Sequence, residues 1–332
     1  MDKKRVLVLG STGAMGQYLV PKLADRGYLV DAVSLDEETP CSENVRCIRA
    51  NAKDEAYLTE LVTKGQYDGI VDFMIWANYE FPRLYKLFLE NTGHYIFLST
   101  YRVYAGESPI TEESPRLLDV SEDAELVASN DYCIHKARGE DILTASDYEN
   151  YTIIRPAITY SKMRYQLVTL ETPLTVGRAL AGKTVLLPEE VKNVQATMTW
   201  ASDVADMIAG LLFNPQAMKE TFTVSTSETH TWGEIASYYE KLVGMKIKWV
   251  NKEIYIKALG GSVGVRWQLD YDRLFERVVD NSKILRVTGL KQSDFMPLFE
   301  GLKYEISRMP KDAVLKEYGC MDQVLEELSL AE

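Results

Sequence analysis

Histidine and cysteine are scarce in this chain, and the few present stand far apart. His94, His135 and His230 are the three histidines; Cys41, Cys47, Cys133 and Cys320 are the four cysteines. No C-x-x-C pair or compact ligand cluster occurs, which speaks against a structural zinc site. Thiols without a pairing pattern fit a reduced, cytoplasmic compartment. Long apolar runs are also missing: none approaches the ~20 residues of a membrane-spanning helix. Nor is there an excess of positive charge. The 37 basic side chains face 49 acidic ones, a net −12, which repels phosphate backbones at long range and argues against general nucleic-acid binding. A local basic pocket for a phosphorylated small molecule remains compatible with that balance. MDKKR passes straight into VLVLGSTG, so no signal peptide is expected. No internal repeat or low-complexity tract is visible.

What is present suits a globular protein. The 332 residues, 46% hydrophobic and 26% charged, suffice for one large two-lobed unit or two ordinary domains. The first half alternates short β-branched runs with amphipathic stretches, the pattern of βαβ units around a parallel sheet. Strands are expected at Arg5–Leu9, Leu29–Ser34, Val45–Arg49, Gly69–Phe73, Tyr95–Leu98 and Tyr151–Arg155. Helices are expected near Met15–Arg26, Glu55–Lys64, Phe81–Asn91 and Tyr132–Ala145. VLVL, GIVDF and YIFL read as near-continuous apolar runs, as strands buried on both faces should. Ala105–Asn130 breaks this rhythm, being rich in Glu, Ser and Pro, and reads either as a solvated acidic loop or as a segment covering a substrate. Beyond Pro156 come short strands at Val185–Leu187, Thr197–Trp200 and Thr221–Val224, mixed with helices. In THTWGEIASYYEKL, Thr231 and Glu234 have capping-box spacing. A second lobe, smaller and α-rich, follows from this.

Chemistry concentrates at three places. Gly10, Gly13 and Gly16 follow the first strand and open a helix. Glycines there allow a tight turn, close approach of a pyrophosphate to the backbone, and close helix–strand packing. The exposed N–H groups and the helix dipole favour the anion. The second strand ends in Leu35, Asp36, Glu37 and Glu38, with no Arg or Lys before Arg46. A carboxylate accepts hydrogen bonds from free ribose hydroxyls and repels a 2′-phosphate, so NAD is favoured over NADP. Asp36 is the candidate, with Ser34 the alternative. Thirdly, Tyr132 and Lys136 stand four apart on an expected helix and so share a face. An ammonium beside a phenol favours the phenolate, which makes Tyr132 a general acid/base for a hydroxyl proton. Ser99 and Thr100 fall at the carboxyl end of the fifth strand, where α/β sheets hold ligands.

Taken together, the glycine loop, LSTYRVY, YCIHK and IIRPAITY resemble, in order and spacing, the extended short-chain dehydrogenase/reductase family, which includes nucleotide-sugar epimerases and dehydratases. MTWASDVADMI, TWGEIASYYEKLVG and DNSKILRVTGL match later segments. The resemblance implies an α/β fold: a Rossmann-type doubly wound parallel sheet with a smaller interleaved α+β C-terminal substrate lobe. The Rossmann domain would span 1–160, completed by about 195–226, and the substrate lobe 161–194 and 227–332. It implies Thr100, Tyr132 and Lys136 as catalytic residues. The implied cofactor-binding set is Gly10, Thr12, Gly13, Ala14, Met15, Gly16, Asp36, Ser99, Tyr132, Lys136 and Pro156, holding NAD. A sugar-type small molecule is the implied substrate, and a homodimer the implied assembly.

Two departures narrow this. Dehydratases of the family carry an Asp-Glu pair after the catalytic Thr; here Tyr101 and Arg102 stand there, which disfavours dehydration. An Arg-Asp pair usual before the segment matching WASDVA is replaced by QATMTW, leaving Arg164, Arg178, Arg266 and Arg273 as candidate phosphate partners. The expected function is therefore an NAD-dependent epimerase-like enzyme acting on a secondary hydroxyl of a sugar or nucleotide sugar. A net NAD(P)-dependent dehydrogenase or reductase is the alternative, and a non-catalytic cofactor- or RNA-binding scaffold, as in an atypical branch, the rival. Among lesser candidates, Asn78 would line the cofactor cleft or cap a helix, and His135 would pack away from Lys136. Tyr101, Tyr104, Tyr160 and Trp267 would wall a substrate pocket or fill the core.

Overall fold

The computed structural model describes residues 3–331; Met1, Asp2 and Glu332, at the outer ends of the segments delimited above, lie outside the described residues. The first half builds six strands, β1 (Arg5–Leu9), β2 (Leu29–Ser34), β3 (Val45–Arg49), β4 (Tyr67–Asp72), β5 (Thr92–Leu98) and β6 (Tyr151–Pro156). The helices among them are α1 (Gly16–Asp25), α2 (Glu55–Gly65), α3 (Phe81–Glu90), α4 (Leu117–Val120), α5 (Ala124–Ala128) and α6 (Tyr132–Thr144). The later strands are β7 (Ile158–Tyr160), β8 (Thr184–Pro188), β9 (Gln195–Ala196), β10 (Met198–Trp200), β11 (Glu220–Val224), β12 (His230–Thr231) and β13 (Lys246–Val250). Among them lie α7 (Val176–Leu180), α8 (Ala201–Leu211) and α9 (Trp232–Val243).

Seven strands pair in the order β11-β6-β5-β4-β1-β2-β3, all in parallel. Strand alternation divides the apolar run of β1 between the two faces. Val6 and Val8 meet Leu19 and Leu23 of α1 and Val204 and Ile208 of α8. Leu7 and Leu9 meet Leu58 and Val62 of α2 and Leu84 and Phe88 of α3. A third core gathers Tyr165, Leu186, Trp232, Tyr239 and Tyr255 beneath three two-stranded sheets, β10-β7, β12-β9 and β13-β8. The fold is thus α/β with a seven-stranded parallel sheet, as expected. No described helix is long and apolar enough to cross a membrane.

Some expectations need correction. The fourth strand starts at Tyr67 rather than Gly69, and the fifth at Thr92 rather than Tyr95. Each is lengthened by the ladder with its neighbour, which pairs Tyr67 with Thr92. Thr197–Trp200 is broken at Thr197, whose Oγ1 donates to the Arg277 carbonyl. Residues 105–130 are not a solvated loop: α4 and α5 bury Leu117 and Leu126 against Cys133 and Ile134 of α6. Asp123 caps α5, accepting from the Glu125 and Leu126 amides. The Thr231/Glu234 capping box is formed at the start of α9.

The helix α6 buries charge against the sheet beside apolar residues such as Ala137 and Leu143. Glu140 is 1% exposed, and Arg155 of β6 grips it at 2.8 and 2.7 Å. Arg116 adds a third bond at 3.1 Å and Ser99 a fourth at 2.5 Å. A buried pair is stable only when its remaining lone pairs are satisfied, as here. Glu140→Ala leaves the Arg155 guanidinium buried without its counter-charge and should cost on the order of 3–5 kcal/mol. Urea unfolding checks this; a loss below about 1 kcal/mol would show that the network does not anchor α6.

His94 at the other end of β5 is fully buried. Its Nδ1 accepts from the Phe213 amide at 2.9 Å, so the ring proton sits on Nε2, 2.8 Å from the Thr152 hydroxyl. Burial, reinforced by the charge of Lys4, pulls its pKa from 6.5 to about 4. The unfolded chain then takes up a proton between these values that the folded chain refuses, so stability falls as pH drops from 6.5 toward 4. The loss should be on the order of 3 kcal/mol. Unfolding midpoints measured across that window should fall less steeply in His94→Gln than in the native chain; parallel curves would remove His94 as the cause.

Candidate functional site

A cleft of about 780 Å³ runs across the carboxyl ends of the parallel strands. Its floor on one side is the turn from β1 into α1. Gly10 has φ +80° and donates its N–H to the Val33 carbonyl at 3.0 Å. A Cβ on Gly16 would stand 2.5 Å from the Ser11 carbonyl oxygen and 2.7 Å from that of Gly10. No larger side chain fits without moving the loop off the helix. Among the described residues, the N–H groups of Thr12, Ala14, Met15 and Gly16 have no backbone partner, and all four residues line the cleft with Gly10 and Gly13. This is a cradle for an anion at a helix N-terminus.

At the end of β2 the side chain of Ser34 is 7% exposed and its Oγ accepts from the Asp36 amide at 3.1 Å. Asp36 itself is exposed at the cleft and has no ion-pair partner among the described residues. Folding also brings two cations close that sequence distance hid. Arg49 is turned to the Leu35 carbonyl and to Glu37, and Lys53 is paired with Glu80 at 2.6 Å. Asp36 is therefore the open carboxylate on this side.

The opposite half of the cleft is lined by Thr100, Tyr101, Arg102, Tyr132 and Pro156. Thr100 follows β5 and accepts from the Arg102 amide at 3.2 Å. Ser99, its neighbour, projects to the other face and donates to Glu140, so Ser99 does not line the cleft. Strand alternation is the cause. Lys136 also differs from expectation. Its ammonium is held by the carbonyls of Leu98 at 2.6 Å and Met74 at 3.3 Å, beneath the cleft wall. Burial lowers its pKa to about 8, against the charges of Asp72 and Glu140. The Tyr132 hydroxyl is pushed up by burial, and the charges drawing it back are those of Arg102 and Arg164, not that of Lys136. Arg102 lies with its guanidinium carbon 5.8 Å from the centre of the Tyr132 ring.

The four candidate arginines separate cleanly. Arg164 and Arg273 line the cleft. Arg178 is buried between Glu317 and Asp322, and Arg266 is paired on the surface with Glu253. Tyr101 lines the cleft, whereas Tyr104 and Tyr160 belong to the core. Trp267 packs beside Leu117 and Leu126. Asn78 neither lines the large cleft nor caps a helix: it bonds His135 at 2.7 Å and also Asn130. Asn78 and His135 border a separate cavity of about 240 Å³, which Lys136 also lines. Sequence reading missed Arg102, Gln166 and Glu171 as cleft residues. Only the position of Arg102, two residues after Thr100 at a strand end, could have signalled it.

Comparison with known proteins agrees with this architecture. Residues 6–80 match the model of the NAD dependent epimerase/dehydratase family. No curated protein sequence matches the chain. An epimerase from the methanogen Methanothermobacter thermautotrophicus superposes with TM-score 0.69 at 15% identity, over 99% of this chain and 94% of that one. The UDP-glucose 4-epimerase of Thermus thermophilus, in complex with NAD, gives 0.66 at 18% identity over 93% and 100%. The UDP-glucuronic acid 4-epimerase of Bacillus cereus, in complex with UDP-glucuronic acid and NAD, gives 0.65 at 15% over 92% and 99%. Over residues 6–80 the chain carries the sequence pattern of the NAD dependent epimerase/dehydratase family, and over nearly its whole length it carries the fold of these solved epimerases.

Proposed function

We propose that this protein is an NAD-dependent enzyme of the epimerase type, acting on a secondary hydroxyl of a sugar or nucleotide sugar in the cytoplasm. One observation carries the reading: a single cleft joins the glycine cradle of Gly10–Gly16 to Thr100 and Tyr132. The family match over residues 6–80 and the NAD-bound neighbours support it. The sheet with its β6 and β11 edge would form the cofactor-binding part, within 1–160 and about 195–226. Segments 161–194 and 227–332 would enclose the substrate.

In this reading the amides of Thr12, Ala14, Met15 and Gly16 hold the pyrophosphate, and Asp36 accepts from the adenosine ribose. NAD, when bound, supplies a hydride acceptor that can return what it takes. Thr100 Oγ1 holds the substrate hydroxyl, and Tyr132 Oη takes its proton and later gives one back. Burial pushes the Tyr132 hydroxyl up, and the charges of Arg102 and Arg164 offset part of that rise. Lys136 acts beneath the wall as a positioning residue, tying α6 to the ends of β4 and β5 through the Met74 and Leu98 carbonyls.

Calorimetric titration should show NAD binding near one per chain and weaker NADP binding. Gly16→Ala should weaken NAD by about tenfold or more, 1.4 kcal/mol upward. Equal NAD binding by the variant would move the cofactor off this loop.

Tyr132→Phe should keep NAD binding and lower turnover roughly 10²–10⁴-fold. Proton NMR of UDP-glucose/UDP-galactose and UDP-glucuronate/UDP-galacturonate mixtures with bound NAD follows it. Unchanged turnover in the variant would take the acid/base role away from Tyr132, and stoichiometric NADH would indicate net dehydrogenation.

A further inference from the structure

Two cations flank the ring of Tyr132 at nearly equal range. The Arg102 guanidinium carbon lies 5.8 Å from the ring centre and the Lys136 ammonium 5.9 Å. Their surroundings differ. Lys136 Nζ donates to the Leu98 carbonyl at 2.6 Å and to the Met74 carbonyl at 3.3 Å, so its N–H groups are directed at the strand ends. Arg102 comes from the short helical turn Tyr101–Val103 and lines the same cleft as Tyr132. Its side chain is largely buried but loosely held, with Asp131 and Asp272 each 3.4 Å away. That is longer than the roughly 2.7–2.9 Å of a firm charge-assisted bond. Asp272, in the π-helical turn Leu269–Arg273, lies closer to Arg277, at 3.0 Å, and to Arg273. The Arg102 Nε is buried with no hydrogen-bond partner.

The two cations also differ in the pH range over which they stay charged. Burial brings the Lys136 ammonium down to about 8. A cation that releases its proton there supports a phenolate only at pH values where little phenolate exists, since a phenol ionises near pH ~10. Burial works against the Arg102 guanidinium too, but Asp272 and Asp131 outweigh it and hold that group above its usual range. Arg102 therefore stays charged wherever Tyr132 titrates. Arg164, in the turn after β7, adds a second guanidinium charge on the phenol, smaller than that of Arg102. Asp131 stands one residue before Tyr132, and the Cys133 thiol one residue after it faces Arg102 as well.

We propose that Arg102 is a positioning residue for the acid/base step: its fixed charge beside the Tyr132 ring stabilises the phenolate, a task that the helical spacing of Lys136 suggests but its captured ammonium does not perform. When Tyr132 Oη has given up its proton, the negative charge lies next to a guanidinium that neither nearby carboxylate holds firmly. A cation at this range shifts an acid by about one pH unit or more. This inference rests on the proposed role of Tyr132.

The test is a carbon NMR titration of the full chain, labelled with ¹³C at the tyrosine Cζ and measured without NAD. Among the 20 tyrosines, the resonance missing from Tyr132→Phe identifies the phenol. Arg102→Gln, and Arg102→Met, which keeps the apolar stem, should raise its midpoint by about one pH unit or more. Lys136→Met should move it by less than about half a unit. An unchanged midpoint in either folded Arg102 variant would overturn the proposal. So would a rise of about one unit or more in Lys136→Met, a result that needs no change at Arg102. Native turnover by Tyr132→Phe, with the Arg102-dependent shift intact, would overturn the acid/base reading and leave the coupling of Arg102 to Tyr132 standing.

Discussion

The buried carboxylate of Glu140 decides where the functional end of α6 points. It is gripped by Arg155, Arg116 and Ser99 together, so the helix can neither slide nor rotate without stranding a charge away from water. Glu140, Lys136 and Tyr132 are spaced four apart and share one face. With Glu140 locked to β6, Lys136 falls beneath the strand ends and Tyr132 arrives at the cleft one turn further on. Close packing reinforces this: a Cβ on Gly139 would meet the Phe97 ring at 2.7 Å. The buried apolar residues of α6, Ile134, Ala137 and Leu143 among them, would not by themselves fix its rotation with the same directionality.

That constraint divides the cleft between two kinds of work. The β1–α1 side offers backbone N–H groups and an exposed carboxylate, both set by glycine geometry and by the end of β2. The β5–α6 side offers side chains: a threonine, a tyrosine, and guanidinium groups whose charges are largely met by Asp131 and Asp272. Backbone donors suit an anion common to many cofactors, whereas side chains can be exchanged to suit one substrate. The seven-stranded sheet holds the two halves in register, because β1 and β5 both pair directly with β4.

Much of this is legible in the sequence because it is local. Apolar runs such as VLVL give the strands. The glycine spacing gives the cradle, and the four-residue step from Tyr132 to Lys136 gives a shared face. What escapes is what depends on distant neighbours. Ser99 and Thr100 look equivalent in the sequence, yet strand alternation sends one to Glu140 and the other to the cleft. Lys136 sits on the expected face, but the carbonyls of Leu98 and Met74 capture its ammonium before it reaches the phenol. Arg164 and Arg178 cannot be told apart until Glu317 and Asp322, more than a hundred residues on, are seen to neutralise only the second. Residues 105–130 lack periodicity, and their two short helices exist because α6 offers Cys133 and Ile134 as a surface to bury Leu117 and Leu126.

The claim on which the account turns is that one cleft holds a dinucleotide at Gly10–Gly16 and the reacting carbinol at Thr100 and Tyr132. A crystal structure of the protein grown with NAD tests it most directly. The account predicts the pyrophosphate against the amides of Thr12, Ala14, Met15 and Gly16, the adenosine ribose at Asp36, and the nicotinamide beside Tyr132. Density for the dinucleotide elsewhere, or none at saturating NAD, would contradict it.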